Sequence, residues 1–298
     1  MIRAFTTVGF IGLGVMGSGQ SSNLLRKSAL PLVVTDLSAA AVESLRSQGA
    51  GVAESAAEVA ARADVVFTSL PGGPQVVEAL LGDGGAFHTA REGTVFVDLS
   101  TIPVGLARSL GEEARARGLH FLDAPVTRTR QAAIDGTLSI TVGGEEAVFL
   151  AAEPLLRTMA TDVVHLGPNG AGALLKIVNN MVVFETVVAL SEALTVIRRS
   201  GLVEPEAAFE ALASGSAASF TLENHGRKAL LPDVHPEGVF PAAYMRKDLG
   251  YVLELASELE TTLPQAALAH ELLGKVVDGG LGANYHTAVV RVVEEQIG

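Results

Sequence analysis

The 298-residue chain has no cysteine and no tryptophan, and only 5% of it is aromatic. Without thiols it holds no disulfide, thiolate nucleophile or cysteine-ligated metal, though this leaves the redox compartment open. Charged residues make up 18%, and the 33 acidic against 21 basic side chains give a net charge of −12. That sign argues against a nucleic-acid or anionic-membrane surface and points to small-molecule partners. The seven histidines show neither H-E-x-x-H nor paired spacing, so no metal site is expected. His225 and His235 lie in or near loops and are expected at the surface. No G-x-S-x-G elbow supports a hydrolase. The opening MIRAFTTVGFIGLG lacks the apolar core and small-residue cleavage site of a signal peptide, which suggests a cytoplasmic protein. The most apolar segment, 177–197, is broken by Asn179, Asn180, Glu185, Ser191 and Glu192, so it reads as a buried helix and not a membrane span. With 48% hydrophobic residues, the chain is long enough for one large or two ordinary domains.

What the chain does have is VGFIGLGVMGSGQSSN, residues 8–23. An apolar β-branched run ends at Gly12, and Gly12, Gly14 and Gly17 then form G-x-G-x-x-G just before a helical stretch. In that motif the first glycine makes the tight turn, the second lets backbone approach a pyrophosphate, and the third packs helix on strand. Leu13, Val15 and Met16 complete a loop whose N–H groups and helix dipole favour phosphate. A second apolar run, 32–35, ends in Asp36, where a ribose-binding carboxylate belongs; Ser38 is the better helix cap. Asp36 would bond a ribose 2′-hydroxyl and repel a 2′-phosphate, and no arginine follows it directly, so NAD is expected over NADP.

Strand-like runs at 6–11, 32–35, 50–53, 65–69, 94–99, 120–123, 138–142 and 163–166 alternate with helices starting near Gly14, Ser38, Ser55, Pro74, Pro103 and Glu145. This predicts an α/β fold with a doubly wound, mainly parallel Rossmann-type sheet over residues 1–167. Ligands of such sheets sit at the carboxyl ends of the strands, here Ser69-Leu70-Pro71, Asp98-Leu99-Ser100-Thr101 and Asp123 to Thr127. After Gly167 to Gly172 no strand pattern recurs, and 168–298 reads as an all-helical domain. A long helix, 171–199, opens it; being apolar nearly all round, it should be central, packed by both domains or by a partner subunit. Shorter helices follow at 205–213, 221–230, 242–258, 265–278 and 284–296.

Lys176, Asn179 and Asn180 stand at i, i+3 and i+4 on that long helix. Two readings compete: a structural hydrogen-bond network, or a lysine that donates a proton to a carbonyl oxygen, its pKa lowered by desolvation, with Asn180 holding substrate oxygens.

Several separated motifs carry a family likeness: GFIGLGVMG, LP at 70–71, DLSTI at 98–102, DAPV at 123–126, GTLSITVGG at 136–144, GPNGAGALLKIVNN at 167–180 and KDLG at 247–250. In them the chain resembles the β-hydroxyacid dehydrogenases, the 3-hydroxyisobutyrate dehydrogenase group. The resemblance implies NAD(P)-linked interconversion of a small anionic β-hydroxy acid and its semialdehyde, with Lys176 as acid/base. It also implies substrate contact from Asn180 and cofactor contacts from the glycine loop, Leu70, Pro71, Thr101 and Lys247. The family's Ser-Gly-Gly substrate loop is here Thr127, Arg128 and Thr129. That loop is similar to the one in sulfolactaldehyde reductases, where an arginine suits a sulfonate or second carboxylate. Alternatively Arg128 or Arg130 pairs with Asp123 or Asp135. Against imine reductases stands Lys176, and against phosphogluconate dehydrogenases the short helical domain. A non-catalytic NAD-binding protein of this fold would have no evident use for Lys176 and Asn180. Apolar helices in the second domain suggest a homo-dimer or homo-tetramer.

Overall fold

The computed structural model describes residues 3–296. The chain divides into two units, Met1–Lys176 and Ile177–Gly298. In the first unit β1 (Val8–Ile11), β2 (Leu32–Thr35), β3 (Gly51–Val52), β4 (Val65–Thr68), β5 (Val95–Asp98) and β6 (His120–Asp123) alternate with α1 (Gly17–Lys27), α2 (Ala39–Arg46), α3 (Ala56–Arg62), α4 (Gly73–Leu81) and α5 (Val104–Ala116). Then come β7 (Val126–Thr127), α6 (Arg130–Asp135), β8 (Leu138–Gly143), α7 (Glu146–Leu156) and β9 (Ala160–Gly167). The strand order is β3-β2-β1-β4-β5-β6-β8-β7, with β9 on the other side of β8. Neighbours from β3 to β6 are parallel, while β8 runs antiparallel to β6 and β7 and parallel to β9.

β1, β2, β4 and β5 are buried at every position. Both faces of a parallel sheet are covered by helices, which is why these strands read as unbroken apolar runs. The turn-capping side chains are where they were expected: Ser38 accepts from the Ala41 N–H and Ser55 from Glu58. Gly12 has φ +95°, and a Cβ there would lie 2.4 Å from the Ser69 carbonyl oxygen; only glycine fits.

α8 (Ala171–Ser200) starts in the first unit and continues into the second. The division thus lies inside this helix, whose first turn is held by Asp123, as described below. Among the described residues α8 is the helix long and apolar enough to cross a bilayer by length and composition. Phe184, Val187, Leu190 and Leu194 enter the core of the second unit. Val182 and Val196 on the same helix are exposed in the single chain.

The second unit continues with α9 (Pro205–Ser214), a π-helical segment Leu222–Leu230, α10 (Ala242–Glu258), α11 (Pro264–Val276), a π-helical turn Val277–Leu281 and α12 (Val289–Gln296). Four expectations need correction. α1 begins at Gly17, because 14–16 form the phosphate-type turn. The short β7 and α6 escaped notice, being too brief for a periodic signal. Residues 222–230 are π-helical, not α-helical. His225 and His235 are not surface residues. His235 is 7% exposed, with Nδ1 2.8 Å from Thr287 Oγ1 and Nε2 2.8 Å from Asp233 Oδ1. The loop around it folds down onto the start of residues 285–287, where the Asn284 side chain donates to the His235 carbonyl and the Tyr285 N–H to that of Pro236. His225 pairs with the Tyr285 hydroxyl, and burial pushes its pKa down to about 4.

Candidate active site

The carboxyl ends of β1, β2, β4 and β5 bring together Gly12 to Gly17, Asp36, Leu70, Pro71 and Thr101. Asp36 fixes the glycine loop. Its Oδ2 accepts from the Leu13 N–H at 2.6 Å and its Oδ1 from the Ser38 N–H at 2.7 Å, and each oxygen keeps a lone pair for a further donor. A Cβ on Gly17 would lie 2.0 Å from the Gly12 carbonyl oxygen, so the turn closes on itself. Gly14 is different. It is exposed, and a Cβ there would meet no protein atom within 4 Å. α1 has no side-chain cap at its N-terminus and no acid in its first turn. An uncapped helix N-terminus beneath an open glycine fits the pyrophosphate of a dinucleotide. Beside Asp36, the Leu37 side chain stands fully exposed at 107%. Sequence reading passed over this residue, because one leucine after a strand carries no pattern.

The next strand ends hold two buried carboxylates, Asp98 and Asp123, each 1% exposed. Asp98 Oδ1 accepts from Thr68 Oγ1 at 2.6 Å and from the Ser100 N–H at 3.1 Å. Ser100 Oγ in turn accepts from the Leu70 N–H at 2.9 Å. Burial, helped by the neighbouring Asp123 charge, pushes the Asp98 carboxyl up to about 6 against the pull of its hydrogen bonds. Asp123 accepts from the Gly170 N–H at 2.8 Å and the Ala173 N–H at 2.9 Å, at the start of α8. Burial raises its pKa too, opposed by those bonds. Neither carboxylate is available for pairing with Arg128.

Arg128 has φ +85°, in the left-handed region that suits the glycine it replaces. Its guanidinium donates to the Thr137 carbonyl at 2.5 Å, to Thr161 Oγ1 at 2.8 Å and to Asp162 Oδ2 at 2.6 Å. Its ion-pair partner is thus Asp162 on β9, not Asp123 or Asp135. Thr129 caps α6 by accepting from the Ala132 N–H, and Thr127 Oγ1 lies 3.3 Å from the Ser139 carbonyl oxygen.

On α8, Lys176 is half-buried, one turn past Ala173, and Asn180 is 4% exposed. Within the second unit Asn180 Nδ2 donates to Asp248 Oδ2 at 2.7 Å, while Lys247 Nζ is 3.1 Å from Asp248 Oδ1. The Lys247 ammonium also lies 5.1 Å from the Tyr251 ring centroid and 5.7 Å from that of Tyr244. Asp248 therefore joins two side chains that sequence reading singled out separately. Among the described residues no cluster of His, Cys, Asp or Glu could hold a metal ion.

A family profile described as the NAD binding domain of 6-phosphogluconate dehydrogenase matches residues 7–167. One described as NAD-binding of NADP-dependent 3-hydroxyisobutyrate dehydrogenase matches residues 170–293. A 2-(hydroxymethyl)glutarate dehydrogenase of Eubacterium barkeri is 35% identical over 291 residues, covering 98% of this chain and 96% of the relative. The chain belongs to the β-hydroxyacid dehydrogenase family. Another member, the 2-hydroxy-3-oxopropionate reductase of Escherichia coli K12, is 35% identical over 287 residues, 96% of this chain and 97% of its own. The 3-hydroxyisobutyrate dehydrogenase of Mycobacterium tuberculosis, solved with L-serine, superposes with a TM-score of 0.87 at 31% identity, covering 97% and 99% of the two chains. The α/β fold with its helical C-terminal part is thus the β-hydroxyacid dehydrogenase fold. The family profiles meet between residues 167 and 170, a few residues before the division by packing after Lys176.

Proposed function

We propose that this β-hydroxyacid dehydrogenase interconverts a small β-hydroxy acid and its semialdehyde, with NAD in preference to NADP and Lys176 as acid/base. The observation that carries the reading is the open Gly14 above an uncapped α1 N-terminus, tied to Asp36 through Leu13. The bound nicotinamide supplies or accepts the hydride. The chain's own residues do the rest. The glycine loop binds the pyrophosphate, Asp36 takes ribose hydroxyls, and the exposed Leu37 flanks the adenine. Leu70, Pro71 and Thr101 border the nicotinamide end, and Lys247 contributes to the cofactor from α10. Lys176 gives its proton to the aldehyde oxygen in reduction and recovers one from the hydroxyl in oxidation. Asn180, oriented by Asp248, holds a substrate oxygen, and the hydroxyls of Thr127 and Thr129 serve the substrate carboxylate. The Asp36 carboxylate disfavours a 2′-phosphate, which supports NAD. The exposed valines of α8 support association between copies of the chain.

The test is oxidation of NADH and NADPH against succinic, tartronate and methylmalonate semialdehydes and sulfolactaldehyde, with Lys176→Ala beside wild type. The variant is expected to lose at least about a hundredfold in turnover while binding NAD as wild type does. Normal turnover by Lys176→Ala removes Lys176 from the chemistry.

A further inference from the structure

The two buried carboxylates at the ends of β5 and β6 have no part in the chemistry proposed above, yet they bond the loops and the helix turn that carry its residues. Asp98 and Asp123 are paired in register across these neighbouring parallel strands. Two like charges side by side in a sheet interior are costly, and apolar residues of similar volume would be more stable there. Each carboxylate, however, serves a different set of donors. Asp98 grips Thr68 at the end of β4 and Ser100 just past β5, and the Ser100 hydroxyl accepts from the Leu70 N–H. That chain of bonds runs to Leu70 in the loop after β4 and to Ser100, next to Thr101, after β5. Asp123 reaches the other way, to the N–H groups of Gly170 and Ala173. It thereby caps the first turn of α8 from a distant strand.

The grip on α8 is tight. A Cβ on Gly172 would lie 2.5 Å from the backbone oxygens of both Asp123 and Thr141, so the first turn of the helix sits at backbone distance from the strands. With two N–H groups anchored on one carboxylate, neither the axial position nor the rotation of that turn is free, and Lys176 stands three residues beyond Ala173 on the same rigid helix.

We infer that Asp98 and Asp123 are separate positioning residues, Asp98 for the cofactor loops at Leu70 and Thr101 and Asp123 for the proton-transferring Lys176. This rests on the reading of Lys176 and NAD given above. A displacement of about 1 Å in a catalytic group costs about a hundredfold in rate, whereas loosening a binding loop by one charge-assisted hydrogen bond costs about tenfold in affinity.

The experiment compares Asp98→Asn, Asp123→Asn and Lys176→Ala in steady-state kinetics and in NAD binding by titration calorimetry. Asp123→Asn is expected to lower kcat by about a hundredfold with the Kd for NAD little changed. Asp98→Asn is expected to do the opposite, raising the Kd for NAD about tenfold with kcat at saturating NAD largely kept. A merely structural role would move both parameters together in both variants, and that result overturns the inference. Lys176→Ala separates the two levels. If it is inactive while Asp123→Asn turns over normally, the positioning role falls alone; if Lys176→Ala is itself fully active, the Lys176 reading falls and takes the Asp123 half with it. Should Asp123→Asn not fold, Gly143→Ala decides the same question. It keeps the carboxylate but sets a methyl 2.7 Å from its Oδ1, and a normal kcat there overturns the Asp123 half.

Discussion

Replacing Asp98 by asparagine should stabilise the protein at neutral pH even as it harms cofactor binding. The Asp98 carboxyl titrates at about 6 in the folded chain, mainly because burial penalises its charged form, against an ordinary value of 3.8. The native state therefore binds this proton more tightly than the unfolded chain does. Below pH 3.8 both states are protonated, and the favourable contribution of the neutral carboxyl is complete. As pH rises toward 6 the unfolded chain ionises freely while the folded one resists, so stability falls through that window and levels off above it. A shift of this size corresponds to about 3 kcal/mol. Asparagine has the same shape, can accept from Thr68 and Ser100 with its carbonyl oxygen, and cannot ionise. The gap between Asp98→Asn and wild type should thus be small at pH 4 and grow to between about 1 and 3 kcal/mol at pH 7, in the variant's favour. Urea titrations at pH 4, 5, 6, 7 and 8, read by hydrogen exchange of the β5 amides, measure it locally. A gap that is constant across this range, or a variant less stable than wild type at pH 7, would refute the reasoning.

Two other substitutions give opposed expectations. Arg128→Gly removes an ion pair whose partners are 41% and 54% exposed, which is worth at most about 1 kcal/mol. It also relieves a left-handed non-glycine backbone of similar cost, so stability should change by less than about 1 kcal/mol. Activity on carboxylated semialdehydes should be kept, while selective loss of sulfolactaldehyde turnover would make Arg128 a reader of the sulfonate. His286 is fully buried, with neither ring nitrogen bonded among the described residues, and its ring centroid lies 5.6 Å from that of Phe184 and 5.7 Å from that of Phe240. His286→Phe should stabilise by about 1 to 3 kcal/mol by removing unsatisfied polar atoms. Burial holds the His286 pKa well below its usual 6.5, so wild type loses stability as pH falls below that value and the advantage of the variant should widen in thermal unfolding at pH 5. An equal Tm difference at pH 5 and pH 8 would contradict this.

Much of the first unit was legible because its physics is local. A strand covered on both faces must be an unbroken apolar run, and the glycine turn, the capping serines and the carboxylate after β2 are each dictated by neighbours in sequence. The short β7 and α6 were illegible for the converse reason: Val126–Thr127 and Arg130–Asp135 span less than two periods of any pattern, and their places are set by β8 and by the Thr129 cap. The histidines failed differently. His225 and His235 sit in polar, loop-like sequence, and what buries them is residues 60 and 52 positions away, at Tyr285 and Thr287.

The candidate site could be proposed from the sequence as a set of residues but not as an arrangement. Lys176 and Asn180 were found from helical spacing, and the loops from their places after strands, yet nothing local says what holds them. Asp98 and Asp123 each look like ordinary turn-forming aspartates in DLST and DAPV. Only the sheet shows them in register, and the contact from Asp123 to Gly170 and Ala173, 47 and 50 residues on, connects the strand end to the helix that bears Lys176. The division by packing falls after Lys176, within α8, and Asp123 ties the first turn of that helix to the first unit. The position of Lys176, the acid/base proposed above, is therefore set by the sheet through Asp123 as well as by the helix that bears it.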